Sequence, residues 1–455
     1  MMSVDEMTLF ERKAECCGCS ACMSVCPKSA ITMREDTEGF LYPSVDNEKC
    51  VGCKQCINVC PLRHRRQIIA EEKAAPHIGI LNLQNSMNYG ASIAAVVLQD
   101  VVQSIVGDAV RVRTIEYSPK YQGPKASYIF YFVKMNNGWI NCIRGAFRRV
   151  FKEDKGAMSK ARITRKHRFQ RFHAKFLRLS DTYEATKDFD DGTNWKAFIV
   201  GSDIVWHPKR ITTFQREVFF LRFAEGIKRI SYAASTDSSN DVLEENKDLY
   251  REGLKSIDRI SVREKTNIDY LQKLTEKPIR TCCDPAFLYT PEQYDYMLEE
   301  SAFKPVRGEQ YIYVYLLDRN DYMADYAKRL AKEKGMKLCF FATKYPDLEE
   351  YGENCMADGP AEFLARLRYA TYVLTNSFHC SVFSLMFHKK FLSFERGKTS
   401  IKSSDLLSAF GLLDRIVTSG REKDIDDPID FDEADAVIRE MRASSLQYLE
   451  EALAE

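Results

Sequence analysis

Two short cysteine runs constrain this chain more than any other feature. Cys16-x2-Cys19-x2-Cys22-x3-Cys26-Pro27 is followed by Cys50-x2-Cys53-x2-Cys56-x3-Cys60-Pro61. A [4Fe-4S] cubane needs four thiolates at its iron corners, and in a doubled run of this spacing the fourth cysteine of each run serves the other cluster. The spacing predicts one cluster on Cys16, Cys19, Cys22 and Cys60 and a second on Cys50, Cys53, Cys56 and Cys26. Gly18 and Gly52 permit the tight backbone that aims N–H groups at sulfur. A pair of zinc sites is the competing assignment, but zinc knuckles join two separated cysteine pairs, not a triplet and a distant fourth. The other seven of the 15 cysteines, Cys17 to Cys380, have no ligand-like spacing. The opening MMSVDEMTLFERK lacks the apolar core of a signal peptide, and no stretch looks like the ~18 to 20 apolar residues of a membrane span. The expected location is the cytoplasm, where disulfides are rare and metal ligation is the first use of clustered thiols.

Residues 1–62 resemble bacterial-type two-cluster ferredoxins, including the hairpin-like ITM…FLY stretch between the runs. Charge and proline replace apolar periodicity over 63–76, which reads as a linker. From His77 onward apolar β-rich runs (HIGILNL, AVRVRTIEY, AFIVGSD, RISYAAS, DRISVRE) alternate with helical patterns, and the alternation restarts after Pro305 with YIYVYLL, MKLCFFA and YVLT. Such alternation predicts βαβ units and parallel sheets. The expected organisation is α/β: two doubly wound Rossmann-like domains, 77–304 and 305–415, with a cleft between them, preceded by a small α+β ferredoxin-like domain. An acidic segment and amphipathic helix occupy 416–455.

No GxGxxG loop, Walker-type lysine loop or further cysteine cluster follows, so neither a dinucleotide site nor a third redox centre is legible. A flavin site without a signature stays open. Five polar stretches lie at the carboxyl ends of predicted strands, where open α/β sheets bind ligands. They are Asn88-Tyr89-Gly90-Ala91, Gly201-Ser202-Asp203-Ile204-Val205-Trp206, Ser261-Val262-Arg263-Glu264, Cys283-Asp284-Pro285 and Thr375-Asn376-Ser377-Phe378-His379. As an ordered set, over about residues 77–415, they resemble the polysaccharide pyruvyl transferase family. The resemblance implies a GT-B-like fold and transfer of a pyruvyl group from phosphoenolpyruvate to two hydroxyls of one sugar, giving a ketal and phosphate. Ferredoxin-like modules recur beside such domains.

That chemistry sets demands on residues. Phosphoenolpyruvate is a small trianion needing cationic or helix-N-terminal donors; C3 must gain a proton and the sugar hydroxyl must lose one. His379 follows strand YVLT and the pair Asn376-Ser377, in the first turn of a helix whose positive end favours a neutral imidazole able to act as base and then acid. A first-turn histidine that only caps or packs is the bland alternative. Arg263 ends strand RISV and can grip a carboxylate or phosphate, or else pair with Glu264. Asp203, with Ser202 and Trp206 beside it, is placed to bind acceptor hydroxyls or take a proton, or to cap a helix. Asn88 and Gly90 fall in a strand-to-helix turn suited to a sugar or anion, and turn chemistry explains them equally well. Asn376 and Ser377 are further substrate-binding candidates. Many members of the family carry Arg where this chain has Ser377, which makes Arg396 and Lys398 candidate substitutes.

The formal charge of +1 conceals two opposed regions. Residues 144–178 hold thirteen Lys/Arg against two acids, and 422–455 hold twelve acids against three bases. The basic arm interleaves Phe147, Phe151, Phe169, Phe172 and Phe176 at helical spacing, predicting an amphipathic helical pair with aromatic residues inward. Its exposed face is either a solvated surface or a contact for anionic lipid or a lipid-linked glycan, which would make the protein peripheral at the inner membrane face. No recognition motif accompanies the charge, so nucleic acid is not an expected partner. A pyruvyl transferase with an iron–sulfur module and a redox partner is thus the leading reading. An iron–sulfur oxidoreductase whose α/β region binds a flavin or another carrier is the rival, and a catalytically silent binding platform is the third.

Overall fold

The computed structural model describes residues 9, 16, 18–36, 39–60, 71–83, 86–118, 157–211, 213, 215–342, 345–395, 401–418, 421 and 423–454. The chain forms two compact units, 1–76 with 192–194, and 77–191 with 195–455.

In the first unit, α1 (Ala21–Ser24) and α2 (Gln55–Asn58) flank an antiparallel hairpin of β1 (Ile31–Glu35) and β2 (Leu41–Val45), paired from Ile31–Val45 to Glu35–Leu41. The doubling of the cysteine run is matched by the backbone. Gly18 and Gly52 both sit at left-handed φ (+66° and +65°), as do Ser20 and Lys54 (+58° each) at the N-caps of the two helices. A Cβ on Gly18 would stand 2.7 Å from Leu41 O.

The second unit holds two parallel sheets. β3 (His77–Leu81), β4 (Arg111–Tyr117), β5 (Leu179–Tyr183), β6 (Trp195–Gly201) and β7 (Lys228–Tyr232) lie in the order β5-β4-β3-β6-β7. β8 (Ile260–Val262) continues this edge through bridges Ile230–Arg259 and Ala234–Val262, and pairs in turn with β9 (Ile279–Thr281). The other sheet is β12-β11-β10-β13-β14-β15, formed by β10 (Tyr311–Tyr315), β11 (Lys337–Phe341), β12 (Gly352–Asn354), β13 (Tyr372–Thr375), β14 (Lys390–Phe394) and β15 (Ile416–Val417). Both reverse strand order beside their first strand, the doubly wound arrangement whose switch point opens a ligand crevice. β3, β10 and β13 are buried at every residue, as parallel strands covered on both faces must be. Two such domains facing one another make the GT-B-like pair. The sixth strand of the second sheet lies just past residue 415.

Helix boundaries follow local chemistry. α3 (Tyr89–Val106) starts where Asn88 Oδ1 accepts from Ala91 N (3.3 Å) and stops at Gly107. Where the sequence showed no stretch suited to a membrane span, this helix is, among the described residues, the one long and apolar enough by length and composition, and 72% of it is buried as a central helix of this domain. α5 (Lys247–Ser256) covers the outer face of the first sheet, and α6 (Asp321–Lys334), capped by Asn320 and ended by left-handed Gly335, covers the second. α7 (Pro360–Tyr369) begins with Gly359 N donating to Glu362 Oε2 (2.9 Å), and α8 (Phe378–Met386) follows β13.

One apolar core runs through the seam between the two sheets. Tyr89 stacks on Phe363 (5.0 Å) and Phe169 (5.3 Å) and tilts against Tyr315 (5.5 Å). Such pairs contribute about 0.5–1.5 kcal/mol each beyond their area. Of the basic arm, 144–156 lies outside the described residues, with Phe147 and Phe151. The rest is one helix, α4 (Ala157–Phe176), which buries Phe169 and Phe172. Arg171 and Lys175 of its basic face pair with Glu300. Of the expected linker, 63–70 lies outside the described residues and 71–74 is helical. After α9 (Lys402–Ala409), the last helix, α10 (Phe431–Ala454), returns to the first Rossmann-like domain. There Ser445 Oγ accepts from Cys283 N (2.9 Å), Tyr448 OH donates to Ser231 O (2.8 Å), and Arg442 donates to Phe287 O and Tyr289 O.

Candidate active site

The carboxyl ends of β6, β8, β9 and β13 meet the first turns of α3 and α8 within the second unit. Asp284 is their hub. Its Oδ2 accepts from Arg263 Nη1 (2.8 Å) and Ser202 Oγ (3.0 Å), and its Oδ1 accepts from Ala286 N (3.1 Å). His379 Nε2 approaches Oδ2 to 3.5 Å without hydrogen-bond geometry and has no other acceptor. Burial alone would raise the Asp284 pKa, but His379 and the Arg263 guanidinium override it and hold the carboxyl well below the usual range.

Arg263 is buried, with Nε donating to Glu264 Oε1 (3.2 Å) and its guanidinium 4.2 Å from the centre of the Phe378 ring. Its Nη2 has no partner. Burial pulls its pKa down, yet the carboxylates of Glu264, Asp284 and Asp203 keep it above the ordinary value. Glu264 also accepts from Ser235 Oγ and from Thr236 N (3.2 Å), and burial pushes its carboxyl up. Arg263 is therefore ion-paired with Glu264 and Asp284, and one of its donors is left over.

Asp203 sits at left-handed φ (+67°), held by its N–H on Ser202 Oγ (2.6 Å) and its carbonyl on Ser235 N (3.0 Å). Burial works against its charge, but Lys402, His379 and Arg263 hold the carboxyl below its ordinary pKa. Lys402 is itself buried and pairs with Asp237 (3.1 Å). Arg263, Asp284, Phe378, Lys265, Lys402 and Asp405 line an open pocket.

His379 lies against Gly90. A Cβ on Gly90 would stand 2.0 Å from His379 Cγ and 2.4 Å from Nδ1, so the first turns of α3 and α8 touch through a missing side chain. His379, Arg263, Asp203, Ser202 and Gly90 thus come together. Asn88 caps α3. The Asn376 side-chain amide accepts from Leu317 N (2.8 Å) and donates to Asp318 O (2.9 Å), which ties the loop after β10. Ser377 N donates to Thr375 Oγ1 (3.0 Å), and the Ser377 hydroxyl makes no capping bond. Trp206 is in the core, bonded to Phe219 O (2.9 Å). Arg396 and Lys398 lie outside the described residues. Asp284, Glu264 and Lys402 were not singled out from sequence; only the first two stood in the quoted stretches.

In the first unit, Cys26 lies with Cys50, Cys53 and Cys56 around one small open pocket. Ala30 N donates to Cys26 Sγ (3.3 Å) and Gly18 N to Cys16 Sγ (3.4 Å). Converging thiols with backbone donors on sulfur suit an iron–sulfur cluster.

A family model described as polysaccharide pyruvyl transferase matches residues 88–398. The chain belongs to the polysaccharide pyruvyl transferase family. Membership makes it a transferase that modifies polysaccharide. A 4Fe-4S dicluster domain model matches residues 15–63, which makes the first unit an iron–sulfur module. No curated protein matches. Similar solved structures include a UDP-GlcNAc 2-epimerase from Neisseria meningitidis bound to UDP-GlcNAc (10% identity, 83% of this chain and 94% of that one, TM-score 0.43). Others are a UDP-GlcNAc 2-epimerase from Methanocaldococcus jannaschii (10%, 81% and 92%, 0.42) and the glycotransferase of kitacinnamycin (9%, 83% and 97%, 0.42).

Proposed function

We propose that this pyruvyl transferase family protein moves the pyruvyl group of phosphoenolpyruvate onto two hydroxyls of a sugar in a cell-surface polysaccharide precursor, free or lipid-linked. One observation carries the reading: buried Arg263 Nη2 has no acceptor, and buried His379 Nε2 makes no hydrogen bond but faces Asp284 Oδ2 at 3.5 Å, a carboxylate that already accepts from Arg263, Ser202 and Ala286. Buried donors without acceptors cost about 1–3 kcal/mol each, and an anionic substrate recovers that. Arg263 grips the anion, assisted by Lys402. His379 passes a proton toward C3, one hydroxyl adds to C2, and phosphate leaves before the second hydroxyl adds. Of the two hydroxyl protons, one balances the new methyl group and the other leaves on phosphate. Asp203 takes a proton from a hydroxyl, and Asp284 orients Arg263 through their hydrogen bond and places its charge opposite His379.

Ketal formation moves no net electrons. The iron–sulfur module then serves redox control or a path to a partner, with Cys16, Cys19, Cys22 and Cys60 holding one cluster and Cys50, Cys53, Cys56 and Cys26 the other. Bound clusters would supply one-electron chemistry.

Anaerobically purified protein should release phosphate from phosphoenolpyruvate only when a sugar acceptor is added. His379→Ala should abolish turnover and keep its iron. No release across a broad acceptor panel, together with no phosphoenolpyruvate binding by calorimetry, refutes the proposal; a flavin spectrum with acceptor-dependent oxidation of reduced clusters would favour the oxidoreductase reading instead.

A further inference from the structure

A second group of reactive side chains lies away from His379, on the edge of the C-terminal sheet. β11 and β12 run parallel there with Cys339 opposite Glu353, and Cys355 follows β12 with its N–H on Phe340 O (2.6 Å). The two Sγ atoms and a Glu353 carboxylate oxygen all lie within 4.8 Å of one another. Cys339 is partly exposed and Cys355 is buried.

A metal ion would need this set to be short of positive charge. It is not, because the Arg366 guanidinium already occupies the same side. Nη1 lies 3.6 Å from Cys339 Sγ and 3.2 Å from Glu353 Oε2, Nη2 donates to Glu353 Oε1 (2.8 Å), and Nε donates to Asp358 Oδ2 (2.6 Å). A fixed cation repels a divalent ion and favours a thiolate. The hydrogen bond with the Cys355 thiol, then Arg366, outweigh burial and hold Cys339 below the ordinary thiol range, while Cys355 is pushed well above it. A partly exposed thiol beside a guanidinium, with a buried thiol within reach, is the arrangement of an attacking and a resolving cysteine.

We propose that Cys339 and Cys355 form a reversible dithiol–disulfide couple, with a low-molecular-weight disulfide as oxidant. The Cys339 thiolate attacks one sulfur of the small disulfide; that S–S bond breaks and one small thiolate leaves. Cys355 then loses its proton and attacks Cys339 Sγ, releasing the second small thiolate. Two protein thiols are oxidised to one disulfide, the small disulfide is reduced to two thiols, and the protein's two protons end on them. Closure to about 2 Å between sulfurs brings the two Sγ atoms together from a separation within 4.8 Å. The couple has a route to the cleft: the loop after Cys355 presents Asp358 O to Tyr89 OH (2.9 Å), next to Gly90, and Arg168 Nη1 donates to Ala357 O (3.1 Å).

The test uses the full, cluster-loaded protein under anaerobic conditions in graded mixtures of oxidised and reduced glutathione. Samples are quenched by alkylation after denaturation and mapped by mass spectrometry without reduction. The proposal expects the loss of alkylation at Cys339 and Cys355 together, a peptide pair joined through them, and recovery on adding reduced thiol, with buried Cys282, Cys283 and Cys380 still alkylated. Cys355→Ser should stop at a mixed disulfide on Cys339, and Cys339→Ser should leave Cys355 unmodified. Two results overturn the proposal: no joined peptide at any ratio with Cys355→Ser also unmodified, or stoichiometric zinc retained by wild type and lost in both variants.

Discussion

Gly90→Ala is the sharpest perturbation of the proposed site because it adds one carbon at a known place. That carbon would stand 2.0 Å from His379 Cγ, whereas carbon atoms pack at about 3.5–4.0 Å. The imidazole, or the first turn carrying it, must retreat by roughly 1.5 Å. The stability effect is small because two terms oppose. Alanine improves the helix by up to about 1 kcal/mol, and overpacking costs about 1–3 kcal/mol. The net loss is roughly 0–3 kcal/mol, and at about 2–4 °C per kcal/mol the melting temperature falls by no more than about 12 °C. Turnover is far more sensitive, since a misplacement of about 1 Å can cost about 100-fold, equivalent to about 2.7 kcal/mol in the barrier. The assay is phosphate release from phosphoenolpyruvate at 25 °C, with melting followed in parallel. Turnover within threefold of wild type would refute the reasoning, because the contact between Gly90 and His379 would then not belong to the working geometry.

Asp284→Asn keeps the shape of the hub but removes the charge facing Arg263 and His379; breaking a buried pair costs about 3–5 kcal/mol, so a clear drop in the denaturant midpoint should accompany loss of phosphoenolpyruvate binding. His173, 2.9 Å from Ser92 Oγ, has its pKa pulled down to about 4 by burial. As pH falls the unfolded chain therefore takes up this proton first, and the stability this gives, present above pH 6.5, is lost toward pH 4; His173→Gln should lose about 2 kcal/mol less than wild type between pH 7 and 5 in denaturant titrations. Cys26→Ser should remove the cluster built on Cys50, Cys53 and Cys56 and spare the other, halving the iron from about eight atoms per chain with one reduced-cluster spectrum intact. Ser445→Ala leaves Cys283 N without its acceptor, and a loss of about 1–3 kcal/mol is expected by thermal melting.

The parallel sheets were legible because buried strands such as YIYVYLL and YVLT read as unbroken apolar runs between helical patterns, and the cysteine spacing carried the first unit. The polar stretches were also legible as strand ends. Their division of labour was not, because it depends on which ends converge. Asn376 is as polar as Asp284, but its amide is consumed by the loop after β10 while Asp284 receives donors from β6 and β8. Gly90 read as a turn glycine, and its reason is a ring contributed by a distant part of the sequence. Trp206 stood beside Asp203 in sequence, yet the left-handed turn at Asp203 sends the next residues into the core. Amphipathicity announced α10 as a helix and gave no sign of the partner it packs on.

The return of α10 sets the order in which this protein can be completed. Cys283 N, Phe287 O and Tyr289 O belong to the domain that leaves the ribosome earlier, while the side chains that bond them, from Arg442 and Ser445, are made after the whole second sheet. The earlier domain therefore waits, part-finished, through synthesis of its neighbour. The two halves should consequently unfold as one cooperative transition in the mature chain, and nascent chains released before Arg442 should be preferred targets for chaperones and proteases.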